Sequence, residues 1–290
     1  MPPPVVARSR TCMRWFRKPA EVVSDEAAPG VNPEPLQVTF DQEILATKLN
    51  SLNEAIAEAG GVDGLETFIE ALRSKHEVFA GVVAKGDDMD AEDLRTLAGL
   101  VFAVRRKLAS VMGERQGALV DGMRALVRPD ADLDSRLEAF ADLAGDDKKL
   151  RRGFWDFGAE ILHFADPETV PLATRWVWDT GTTTGALREF IRGNDTLRSI
   201  PIGETVGAIE GARRWFYDAL AEEGFYRDLP FVTDLVWVQA YSDYARSLSM
   251  SLGMIDNQFG AKQDPLELGV KLLGIDSPEG RLKGHDASLH

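Results

Sequence analysis

One cysteine, Cys12, serves all 290 residues, so no internal disulfide can form and the fold has to rest on packing. That usage fits a reducing compartment, and a cytoplasmic location is the simplest expectation. Histidine is nearly as scarce, at His76, His163, His285 and His290. With no zinc-type cysteine spacing and a single Glu-x-x-His, at Glu160 and His163, neither a metal centre nor a cofactor is expected. Long uncharged apolar runs are missing too. The nearest, 231–255, is interrupted by Asp234, Asp243 and Arg246, which argues against a transmembrane segment. The start shows no apolar core of a secretory signal.

Positive charge is also in deficit, with 33 Lys and Arg against 47 Asp and Glu and a formal net charge of −14. Such an acidic balance opposes binding to nucleic acid. The deficit is uneven. Residues 1–20 hold Arg8, Arg10, Arg14, Arg17 and Lys18 and no acid, so the overall −14 divides into +5 on this head and −19 on the rest. The stretch 21–35 is rich in Pro, Ala, Glu and Val and reads as a flexible linker, giving a basic arm and linker over 1–38. Arg14, Trp15, Phe16 and Arg17 suit docking on an acidic protein partner, on lipid headgroups in peripheral membrane contact, or on this chain's own acidic body. An Arg-rich, acid-free start also suits an organellar presequence.

What is abundant is helix signal. Thr39 and Gln42 have capping-box spacing ahead of a stripe of Ile44, Leu45, Leu49, Leu52 and Ile56. Asp63 and Asp90 open two more helices, the second reaching Gly113, and a fourth stops at Arg128-Pro129. Further helices are expected over 134–143, 147–164, 184–192, 204–223 and 230–257, with a short last one from Asp264 to Leu273. Alternating strand patterns are few and no repeat is found. The expected fold is all-α, a bundle of nine or ten helices in two packed parts over 39–128 and 132–260. A short helix and polar tail follow over 261–290. Leu266, Val270 and Leu273 form one stripe of that helix, which either packs on the body or inserts into a partner's groove.

The densest chemistry lies in 154–190, which holds Trp155, Trp176 and Trp178 beside His163, Arg175 and Asp179. Polar groups among large aromatics are costly unless satisfied, so they serve either structure or a ligand. The structural reading of Arg175, Asp179 and Arg188 is an ion pair tying a loop to the bundle. The functional reading is a pocket floored by Trp176 and Trp178, with an arginine clamping an anionic ligand. A lone His163 beside Phe164 reads as a hydrogen-bonded core residue.

Two resemblances attach to this region. The run from Trp178 through Asp179-Thr-Gly-Thr-Thr-Thr to Gly185 looks like the strand-turn motif of the actin and sugar-kinase superfamily and the Asp-x-x-Gly-Thr of phosphoaspartyl enzymes. Either would imply phosphate handling on a parallel α/β sheet, for which no strands are read; a capped loop is expected instead. Leu162–Leu172 and Ile200-Pro-Ile-Gly-Glu-Thr-Val206 resemble parts of helix-hairpin-helix DNA glycosylases, which would imply a grip on a DNA phosphate. Here the hairpin has one glycine of two, and the body is acidic.

Three functions follow in order of preference. The first is a non-catalytic accessory, assembly or regulatory subunit that binds a protein partner. The second is a helical small-molecule- or cofactor-binding enzyme with its site in 154–190. The third is a glycosylase-like protein.

Overall fold

The computed structural model describes residues 31–58, 64–251 and 265–276. Among them are nine α-helices and no strand, as the helical periodicity predicts. They are α1 (Gln42–Glu58), α2 (Leu65–Val83), α3 (Ala91–Gly99), α4 (Leu108–Val127), α5 (Leu133–Asp142), α6 (Lys148–Ala165), α7 (Val206–Glu222), α8 (Leu229–Ser251) and α9 (Pro265–Leu272).

Local signals account for most helix starts. Asp90 caps α3 in a reciprocal capping box with Asp93, Asp132 caps α5, and Asp147 caps α6. Each carboxylate accepts from backbone N–H groups that have no partner within the helix. At α1 the cap is Asp41 rather than Thr39, with Asp41 Oδ1 2.9 Å from the N–H of Glu43. The expected break at Gly113 lies earlier. The chain turns over 100–107, and α4 runs straight through Gly113. The turn keeps Leu100, Val101 and Val104 buried, and the end of α9 packs against it.

One hydrophobic core runs from Phe40 to Ile275. α6 packs on α2, α4 and α5; α8 packs on α1, α2, α7 and α9. Both are buried on nearly all sides along much of their length. A helix enclosed in this way is expected to be apolar all round. These two instead carry Asp156, Glu160 and His163, and Thr233, Asp234, Gln239 and Ser242, into the interior.

Between α6 and α7, residues 166–205 form no α-helix, only 3-10 turns at Ala186–Phe190 and Asn194–Thr196. The expected helix over 184–192 is therefore a single tight turn. Backbone without helix or sheet needs other partners for its carbonyls. Side chains of α6 and α7 supply them. Arg213 donates to Pro167 O and Glu168 O at 2.7 and 3.0 Å, His163 Nδ1 lies 2.8 Å from Val170 O, and Trp155 Nε1 donates to Ala173 O at 3.0 Å. The long segment is stapled carbonyl by carbonyl onto the bundle.

The end of the expected linker is also held. Glu34 N–H donates to Gly207 O at 2.9 Å, and the backbone of 32–34 lies against Gly207 and Gly211 of α7.

Candidate functional site

Residues of α6, the 100–107 turn, the 172–184 segment, α8 and α9 enclose a cavity of about 400 Å³. α6 contributes Lys149, Arg152, Gly153, Asp156 and Glu160, spaced so that all five fall on one helical face. Lys149 and Arg152 sit in exposed first turns, whereas Asp156 and Glu160 are buried. Trp176 and Tyr241 form an aromatic wall with ring centroids 6.1 Å apart, and Phe102 and Leu272 add apolar surface.

Arg175 forms the expected ion-pair tie between the loop and the bundle. Arg175 donates from its backbone N–H and from Nη2 to the two oxygens of Asp156, at 2.9 and 2.7 Å. It lies 3.8 Å from Asp179. The same guanidinium therefore pins the segment to α6 and faces the cavity. Burial pushes the Asp156 carboxyl above its ordinary value, and the Arg175 charge pulls the other way.

Behind Glu160 and outside the cavity lining, Lys75 of α2 donates to Glu160 Oε2 at 2.6 Å and to Leu273 O at 2.7 Å. Its ammonium also lies 4.0 Å from the centroid of the Phe164 ring, a cation–π contact. Burial raises the Glu160 pKa and lowers that of Lys75, each opposed by the other's charge. Glu160 Oε1 has no protein donor among the described residues, so it remains available to an occupant. The Tyr241 hydroxyl likewise has no protein partner among them.

His163 is not in the cavity. Val170 O can only accept, so Nδ1 carries the ring proton facing it. One further proton lies between Nε2 and Asp234 Oδ2, which are 2.9 Å apart. The pair is fully enclosed, as the core reading of this histidine anticipates. Glu160 and His163 point to different partners, and no group of three metal-ligating side chains exists among the described residues.

Trp176 and Trp178 face opposite sides. Trp178 lines a second cavity of about 430 Å³ with Trp155, Asp134, Glu138 and Glu204, separated from the first by Arg152, Arg175 and Asp179, which line both. The Asp179 turn closes on itself. Asp179 and Thr184 exchange backbone bonds of 2.8 and 3.2 Å, and Asp179 Oδ1 accepts from Thr182 N–H. Gly185 follows at φ 128, where a Cβ would lie 2.5 Å from Val177 O, so glycine is required. Arg188 locks the turn through Thr183 O and Asn194 O. No strand flanks it among the described residues, so it is a loop, but the expected cap is absent: the 3-10 turn that follows starts after Gly185 with no side-chain cap.

Leu266 and Leu273 are buried and Val270 half-buried against the core, the packing alternative for that stripe. Arg14, Trp15, Phe16 and Arg17 lie outside the described residues. At the glycosylase-like hairpin no α-helix precedes 200–206, and Thr205, the cap of α7, donates to Glu34 Oε1.

Sequence reasoning missed Lys75, Asp156, Lys149 and Arg152. Lys75 falls between Leu72 and Phe79 on the inward stripe of α2, and a charge at such a position signals a buried partner. Asp156 carried the same signal, one turn before Glu160. The chain matches no protein-family model, and comparison with curated proteins and with solved structures finds no match.

Proposed function

We propose that this protein binds a small organic molecule in the cavity between α6, the Trp176 wall and Tyr241. One observation carries the reading: charged and hydrogen-bonding groups from four separate elements converge on a single space large enough for a ligand. A second supports it. The cavity wall is built by 166–205, and an irregular segment longer than about 15 residues inside a compact fold is usually kept for function. The raised carboxyl groups of Asp156 and Glu160 would allow proton transfer to an occupant, so an enzyme is the natural extension. A ligand-observed NMR fragment screen on the full chain tests the reading. Hits should lose their signal with Arg152→Glu and Trp176→Ala, both on partly exposed positions. Hits indifferent to both substitutions would refute it.

A second reading keeps the role of accessory subunit for a protein partner, in the cytoplasm. The last turns of α8 expose Leu248 and Met250, apolar side chains that a solvated helix end does not need. Native copurification should yield a stoichiometric partner that is lost on Leu248→Glu with Met250→Glu. A chain that runs alone in both forms would rule this out.

A further inference from the structure

The cavity is electrically two-ended. Its inner end, the floor, holds the buried Asp156 and Glu160, with Arg175 and Asp179 beside them in the wall and Lys75 bonded to Glu160 from outside the lining, formally three carboxylates against two cations. Its mouth holds Lys149 and Arg152, neither of which has a side-chain partner among the described residues, together with Lys107. An anion that reached the floor would face uncompensated carboxylate. A simple cation would have to pass two unpaired cations and leave them unpaired. Neither alone fits both ends.

The two ends are well separated. Arg152 and Glu160 are eight residues apart on one helix, about 12 Å along its axis at 1.5 Å per residue. Long side chains on a helix lean toward its N-terminus, so Arg152 leans outward to the mouth and Glu160 leans in over Asp156. The lining also includes the aromatic side chains of Trp176, Tyr241 and Phe102. An α-amino acid, with both charges on one carbon, cannot reach both ends.

We infer that the ligand is a molecule with an amine at one end and a carboxylate or phosphate at the other, joined by a flat or apolar middle. The amine sits on Glu160 Oε1 at the floor, the anion between Lys149 and Arg152, and the middle against Trp176 and Tyr241. This rests on the cavity reading above and adds the class and orientation of the occupant.

Calorimetric titration of the full chain tests it with 4-(aminomethyl)benzoate and 8-aminooctanoate as two-ended probes. Benzoate, benzylamine, octanoate and octylamine serve as one-ended controls. At least one two-ended probe should bind about tenfold more tightly than either of its controls. Arg152→Glu should reduce that probe to the affinity of its amine control and leave the amine unchanged. Glu160→Gln should reduce it to the affinity of its acid control. If Glu160→Gln does not fold by circular dichroism, the NMR contacts of the bound probe replace it, with the amine methylene expected near Tyr241 and Leu272. One-ended compounds binding as well as two-ended ones, or the reversed orientation, would overturn the inference. So would two-ended probes failing to bind while other fragments occupy the cavity, and the cavity reading would then survive. A cavity that no fragment enters would end both.

Discussion

Lys75 Nζ and Glu160 Oε2 lie 2.6 Å apart at a point where both side chains are buried, although 85 residues separate them in the chain. The pair joins α2 to α6, and the third partner of the ammonium, Leu273 O, joins both to the end of α9. Each ion is costly to bury alone and tolerable only because the other is there.

Removing one member should therefore cost far more than removing both. Lys75→Met leaves the Glu160 carboxylate without its cation and should destabilise by about 3–5 kcal/mol, as seen for broken buried pairs. The double change Lys75→Met with Glu160→Leu should recover much of that loss. Urea unfolding midpoints of the two variants decide the matter, and equal losses in both would contradict it.

The helix caps set a pH dependence. Asp90, Asp132 and Asp147 have lowered pKa values, chiefly through bonds from the backbone N–H groups of Asp93, Ser135 and Leu150. A carboxyl lowered by folding contributes stability above its ordinary value of about 4, lost as pH falls through the folded value. Asp156 and Glu160 act in the opposite sense: their raised values make a cost at neutral pH that protonation relieves. Asp90→Asn keeps a capping oxygen but not the charge, so its urea midpoint should lie somewhat below wild type near neutrality and fall less on acidification. Asp90→Ala should be less stable throughout the neutral range.

Two glycines in helices should respond oppositely to alanine. A Cβ on Gly211 would lie 2.2 Å from the Glu34 carbonyl oxygen, so Gly211→Ala must displace the segment that crosses α7. Faster proteolytic cleavage within residues 31–38 would report that displacement. Gly117 in α4 faces open space, and Gly117→Ala should stabilise by about 0.5–1 kcal/mol through the helix preference alone. A melting temperature that falls with Gly117→Ala would refute this.

Asp234→Ala would leave His163 Nε2 buried with no acceptor or donor opposite it, at a cost of about 1–3 kcal/mol. Because His163 also holds Val170, amide exchange should quicken in the segment after α6. Asp234→Asn can still hydrogen-bond to the ring nitrogen and should be milder on both measures.

Helices with a clean stripe were legible in the chain. Leu45, Leu49, Leu52 and Ile56 line α1 as their spacing requires, and Asp147 starts α6 where a capping aspartate belongs. The 100–107 turn was not legible, because Val101 and Val104 continue the apolar period across it. Only the packing of the α9 end against Leu100 marks the break. The site was half legible. Arg175, Trp176 and Asp179 line the cavity, but His163 and Trp178 face elsewhere. Adjacent residues in an irregular segment have no period from which to read their direction.

Periodicity, caps and the scarcity of strand patterns are local properties, each decided within a turn or two of backbone, so the chain alone determined an all-α fold and most helix limits. Which carboxylate meets which cation is decided by contacts between residues far apart in sequence. The union of Lys75 with Glu160, the split of Trp176 from Trp178, and the two-ended cavity therefore exist only once the helices have packed.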